Sequence, residues 1–243
     1  MDERKYKFTG EQKEVDISGR KVVVNRIVAT EDFGYVKKGS LGGWIEKTAN
    51  LSGFGTCWVD DEAVVCDNAR VDDNAQVFKA SFVCNSAYVA GNAHVGGDAF
   101  VGGNAKIGGD AFVGENAAVM RFAQVLDNAE VRGEATVAGK AVVNGYVLVR
   151  ENALISGNAV VSFGEIGKNA EIFATNEYLV TGPFGKRGEF VTFYSCPETK
   201  IWVKYDEFDF SGSIEKFCRK ISRIPEYSGL MMAEELAKTR IGY

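Results

Sequence analysis

From residue 55 to residue 162 the chain repeats in sixes, eighteen hexads with no insertion or deletion. The phase is plain in Gly91-Asn92-Ala93-His94-Val95-Gly96, Gly97-Asp98-Ala99-Phe100-Val101-Gly102 and Gly103-Asn104-Ala105-Lys106-Ile107-Gly108. The fifth position is Val or Ile in all eighteen, and the third is Ala in fifteen, the exceptions being Cys57, Ser81 and Val147. A period of six does not match the turn of an α-helix. It suits a short flat strand followed by a tight corner, three of which close a triangular coil. Alternate side chains of a strand face opposite sides. The Val or Ile at position five therefore points inward between outward positions four and six. The chain turns inward again at position three, where space is tight and Ala fits. Asn, Asp and Gly at positions one and two are suited to the positive φ that corners need.

The same phase extends outward. Leu41–Glu46 places Gly43 and Ile45 correctly, and Lys47–Ser52 places Ala49 and Leu51. Gly53-Phe54 is then a two-residue bulge. Phe163–Gly167 is one residue short, and Lys168–Phe173 adds one more good hexad. The solenoid is thus predicted over 41–173, about seven coils and on the order of 35 Å long. Residues 1–40 read as a cap over its sheet edge, with a strand at Lys21–Val28 and a turn at Glu31-Asp32-Phe33-Gly34. Residues 174–243 read as a small α+β element. Strands are predicted at Tyr178–Thr181, Glu189–Tyr194 and Ile201–Tyr205. A helix follows, with Ser213 as N-cap and Ile214, Phe217, Cys218 and Ile221 along one face. Ile224-Pro225 breaks it, and a second helix is expected from about Glu226 to Lys238.

An aliphatic residue followed four positions later by a small one, as in Val95 to Ala99 and Val101 to Ala105, resembles the hexapeptide-repeat family. That resemblance implies a mostly β chain: a left-handed parallel β-helix with the N-terminal cap and C-terminal α+β element just described. A narrower likeness covers nearly the whole chain. Lys7-Phe8-Thr9-Gly10-Glu11, Asp32-Phe33-Gly34, Leu41-Gly42-Gly43-Trp44-Ile45-Glu46, Gly182-Pro183-Phe184-Gly185, Val191-Thr192-Phe193-Tyr194 and the terminal helix pair look like a group of phage and prophage hexapeptide-repeat proteins of unassigned activity. It implies a viral or mobile-element setting and supplies no reaction and no catalytic residue.

The 243 residues are 46% hydrophobic, enough for a sizeable core. Met1–Arg20 is polar and charged, and no run approaches membrane-spanning length, so a cytoplasmic location is expected, the bacterial host's if the chain is phage-encoded. Five Cys without paired spacing point to a reducing compartment, although Cys66 and Cys84 lie one coil apart. The net charge of −5 is concentrated on the solenoid, with nine basic and sixteen acidic residues. An acidic barrel argues against nucleic acid along its sides.

Many hexapeptide-repeat proteins are acyltransferases with a His general base, and this chain has one His, His94, at an outward position flanked one coil away by Gln76 and Phe112. No loop interrupts the repeats there to wall a pocket, which favours a solvated or interface residue. Carbonic anhydrases of similar fold need three His, so that chemistry is excluded. Cys57 is inward and reads as packing; Cys66 and Cys84 are outward but have no His nearby in sequence. Asp60, Asp61, Asp67, Asp72 and Asp73 form an acidic run that corner chemistry explains as well as a cation does. No metal and no cofactor are expected.

One face displays Val64, Phe82, Phe100, Ala118, Thr136 and Leu154 at position four and Cys66, Cys84, Gly102, Met120, Ala138 and Ser156 at position six, with no charge among them. Such a patch is expected to be covered. Self-association about a threefold axis through Val64, Phe82, Phe100, Met120 and Leu154 is one way, and docking of the terminal helices is the other. A ligand site is expected at the glycine-rich 182–188 loop with Lys186 and Arg187, beside Tyr194, Trp202 and Lys204, where cations and aromatics suit a small anion or nucleotide. The functional expectation is a non-enzymatic oligomeric binding protein, sequestering a host small molecule such as a signalling nucleotide. The alternatives are an acyltransferase using His94 and an acyl-CoA, and a structural scaffold.

Overall fold

The computed structural model describes residues 4–17, 19–184, 189–196, 200–205, 208–221 and 237–238. Most hexads contribute a two-residue strand at positions four and five, such as Phe100–Val101. It pairs in parallel with the strands one coil below and above, Phe100 with Phe82 and with Ala118. The repeats form a left-handed β-helix of about seven turns with three faces. None of the eighteen inward Val and Ile side chains is more than 1% exposed. Each such burial contributes about 1.5–3 kcal/mol, and the Ala positions beside them keep the triangle narrow.

The corners follow a simpler rule than expected. All eighteen first positions have φ between 51° and 73°, and no second position does. The expectation that positions one and two share the positive φ is therefore corrected to position one alone. Where that residue is not Gly its side chain has a second use. Asp61, Asp67 and Asp73 accept the backbone N–H of Lys79, Asn85 and Gly91 one coil above, each at 3.0 Å. Asn85, Glu115 and Asp127 do the same for Gly103, Gly133 and Gly145. The acidic excess of the barrel is in good part this corner ladder, which satisfies amides that the strands leave over.

The three faces carry distinct columns. The apolar face runs from Trp44 through Val64, Phe82, Phe100, Ala118, Thr136 and Leu154 to Glu171. A second runs from Trp58 through Gln76, His94, Phe112 and Glu130 to Leu148. The third carries Arg70, Tyr88, Lys106, Gln124, Val142 and Val160.

The N-terminal cap is a long antiparallel hairpin, Tyr6–Ile17 with Arg20–Ala29, whose second strand pairs with Leu41–Ile45 and so extends the apolar-face ladder. The first of these strands was not expected, because Lys7–Glu14 is almost wholly polar. The hairpin lies against the outside of the barrel. Val22 and Val24 are buried with Trp44, Val64, Cys66 and Cys84, and Val15 and Ile17 pack beside them. Part of the apolar face is thus covered by the chain's own N-terminal segment, a cover that sequence reasoning did not consider.

A polar clasp holds the hairpin down. Glu62 accepts from Lys13 Nζ at 2.8 Å, from Arg26 Nη1 at 2.8 Å and from Trp44 Nε1 at 3.1 Å, and Arg20 pairs with Asp67. Lys13, then Arg26, hold the Glu62 carboxyl down at about 2. A depressed carboxyl stabilises fully above its unfolded value of 4.5 and loses that contribution as pH falls through the folded value. The thermal midpoint of Glu62→Gln is therefore expected below wild type near neutrality, with the gap closing as pH falls from about 5 towards about 2. A gap independent of pH would contradict the clasp.

The C-terminal element is a four-stranded antiparallel sheet of Tyr178–Phe184, Glu189–Cys196, Lys200–Tyr205 and Phe208–Gly212, followed by the helix Ile214–Ile221. The fourth strand was not expected, because Asp209 and Gly212 are residue types depleted from strands. One side of the sheet buries Val191, Phe193, Ile201 and Val203 under Ile214 and Phe217. The other side brings Tyr178 and Tyr194 into the solenoid core, which also holds Ile166 and Ile172 of the last coils. The sheet therefore closes the end of the solenoid, and the helix packs on the sheet rather than on the apolar face. Ser213 Oγ accepts from Lys216 N at 3.5 Å, as expected of the cap. The expected second helix lies outside the described residues, apart from the helical Ala237 and Lys238. Among the described residues no helix is long and apolar enough to cross a membrane.

Candidate functional site

The single histidine is half-buried between Gln76 and Phe112, in the column its spacing required. It lines a cleft of about 260 Å³ with Tyr35, Asp60, Asp61, Gln76 and Phe78. Its ring meets Phe78 edge-on, centroids 6.5 Å apart. Tyr35 comes from the cap, so the wall that the repeats lack is supplied from outside them. Burial, with Asp60 and Asp61 nearby, pushes the Tyr35 phenol up to about 12. It is a neutral hydrogen-bond donor at physiological pH. Among the described residues nothing hydrogen-bonds the imidazole. An imidazole base needs a partner on its second nitrogen to fix tautomer and orientation, and among the described residues the ring contact of His94 is with Phe78.

The cysteines are not arranged as nucleophiles. Cys66 and Cys84 do point outward, but the hairpin covers both and each is 0% exposed. Burial pushes both thiols up, Cys84 to about 11. A reactive thiol needs the opposite shift. Both are free thiols. Cys57 is core, its Sγ accepting from Lys5 Nζ at 3.3 Å. The acidic run is engaged as well: Asp61, Asp67 and Asp73 in the corner ladder, Asp72 with Arg70 at 2.8 Å, and Asp60 with the Asp61 amide. Among the described residues no group of three or more His, Cys, Asp or Glu is placed to hold a metal ion.

Of the expected ligand set, Lys186 and Arg187 lie outside the described residues. Tyr194, Trp202 and Lys204 do converge, with Arg150, Glu151, Glu165, Gly167 and Lys168, where the sheet meets the last coils. The gap they leave is about 10 Å³, room for one water at most. Tyr194 is 2% exposed and its hydroxyl accepts from Gly167 N at 3.4 Å. Lys168 Nζ lies 5.0 Å from the Trp202 ring centroid, and Arg150 pairs with Glu165. Among the described residues, these leave only that gap where the sheet meets the last coils.

The expected interface residues divide in two. Val64 is buried under the hairpin. Phe82 and Phe100 stack, centroids 6.4 Å apart and planes within 10°, at the hairpin's edge. Met120 and Leu154 are half-buried on the rungs above.

A further cleft went unnoticed in the sequence. Arg4, Thr48, Ala49, Leu51, Ser52, Gly53, Phe54 and Arg70 line about 570 Å³ at the N-terminal end of the third face. The available signal was the Gly53-Phe54 bulge, where two extra residues leave the coil.

The six-residue repeat and its coil geometry make this chain a β-solenoid of about seven turns, a fold consistent with that of hexapeptide-repeat proteins. No family model matches it. A stretch of 66 residues, 26% of the chain, is 33% identical to a protein of Escherichia coli (strain K12) named uncharacterized acetyltransferase YdcK, of which it covers 20%. The chain therefore matches about a fifth of that relative's length.

Proposed function

We propose that the protein is a non-enzymatic, self-associating solenoid of the phage and prophage type it resembles, which captures a small anionic molecule of its host. The observation that carries this reading is the uncharged strip that continues past the hairpin on the apolar face. Phe100, Gly102, Ala118, Met120, Thr136, Ala138, Leu154 and Ser156 occupy four successive rungs, a height of roughly 15–20 Å. A flat, apolar and rigid surface of this kind supports an interface core, with the hairpin as its rim. Threefold association is the arrangement the hexapeptide-repeat resemblance suggests. A charge on the strip beside the hairpin opposes association directly, since burying an unpaired carboxylate costs several kcal/mol. Phe100→Glu is expected to dissociate the wild-type trimer to monomers in light scattering. A trimer unchanged by the substitution would rule this face out.

A second reading rests on the Tyr35 wall beside His94 and on the similarity to a protein named as an acetyltransferase. In it His94 serves an acyltransferase. Turnover of acetyl-CoA that His94→Ala abolishes would favour it over the first.

A further inference from the structure

The Gly53-Phe54 bulge is an insertion with a rigid base. Lys5, itself 2% exposed, donates from Nζ to Phe54 O at 3.0 Å and Gly55 O at 3.1 Å. Phe54 N donates to Ser52 Oγ at 3.2 Å. The backbone is thus pinned from inside, while the Phe54 side chain is 86% exposed, the highest value among the large apolar residues described. The ring is therefore held out on a fixed backbone with its face open to a stacking partner.

Two guanidinium groups share its cleft. Arg4 Nη1 donates to Thr48 O at 2.9 Å, which fixes it along the wall. Arg70 pairs with Asp72 through Nη2 at 2.8 Å, and its side chain is 60% exposed. That pair uses one of five N–H donors and orients the planar fork. Leu51 lies among the lining residues with Thr48 and Ser52. The volume, about 570 Å³, falls in the range of small-molecule sites.

We infer that this cleft binds a planar aromatic anion of nucleotide size, its ring stacked on Phe54 and its phosphate held by Arg4 and Arg70. Aromatic stacking tolerates any base, whereas paired guanidiniums select a tetrahedral or carboxylate anion. The inference rests on the reading of the chain as a binding protein but not on its assembly, because every lining residue comes from one chain.

The test is calorimetric titration of the full chain with AMP, GMP, CMP and UMP, and with inorganic phosphate and adenosine as partial ligands. Saturable binding of at least one nucleotide is expected. Phe54→Ala should weaken it about tenfold and leave phosphate binding unchanged. Arg70→Gln should weaken both nucleotide and phosphate. Phe54 and Arg70 are largely exposed, so unchanged circular dichroism and melting will show that both variants fold. Binding by none of the four nucleotides overturns the inference. Nucleotide binding that survives both substitutions also overturns it, and moves the ligand elsewhere without touching the binding reading. The Phe100→Glu variant, by contrast, should keep full nucleotide affinity.

Discussion

Val101→Asp should abolish the folded solenoid. Val101 is 0% exposed and pairs with Val83 below and Val119 above, near the middle of the coil stack. A carboxylate there has no cation or water to meet, and leaving an unpaired charge in such a core costs several kcal/mol. Net stability of a folded domain is only about 5–15 kcal/mol. Each coil of a solenoid is also held chiefly by its neighbours, so one failed coil separates the hairpin-capped half from the half closed by the C-terminal sheet. Insoluble expression or a lost β signal in circular dichroism is expected. Val101→Ala removes only packing and should unfold cooperatively at a stability lower by about 2 kcal/mol. A Val101→Asp protein within about 1 kcal/mol of wild type would contradict the inward assignment of position five.

The second large effect is expected at Lys5. Its ammonium is buried yet satisfied, bonded to two carbonyls and to Cys57 Sγ, with the Phe33 ring 4.9 Å away. It joins the first residues of the hairpin to the bulge that enters the regular repeats. Lys5→Ala leaves the Phe54 and Gly55 carbonyls without this donor, at about 1–3 kcal/mol each, and adds a void. A loss of about 3–5 kcal/mol is expected in chemical denaturation. Lys5→Met restores most of the volume but no donor, and should recover only the packing share. A loss below about 1 kcal/mol for Lys5→Ala would show that the ammonium does not pin the bulge.

The coil was legible because its period is short and unbroken. A Val or Ile every six residues leaves one geometry that buries them all, and the three columns followed by counting in eighteens. The His94 neighbours Gln76 and Phe112 were read this way, as was the vertical pairing of Cys66 and Cys84. What escaped was everything that depends on segments folding back over the repeat. Nothing in the polar stretch Lys7–Glu14 signals a strand, since its alternation is hidden by solvent on both sides. The cover over Cys66 comes from Val22 and Val24, two ordinary strand residues some forty positions earlier. Tyr35 reaches the His94 cleft for the same reason.

The candidate sites show the same division. Tyr194 and Trp202 were read as aromatics beside cations, and they are; alternation along a strand could not reveal that their side of the sheet faces the solenoid end. The Arg4, Phe54 and Arg70 cleft joins three segments that only the coil brings together. Its one local sign was the Gly53-Phe54 insertion, which breaks the phase without breaking the core.

Native mass spectrometry of the full chain at micromolar concentration tests the central claim of assembly most directly. A dominant species at three times the 26.4 kDa chain mass, replaced by the single-chain mass in Phe100→Glu, is the predicted result. A wild-type protein that stays at 26.4 kDa would contradict it.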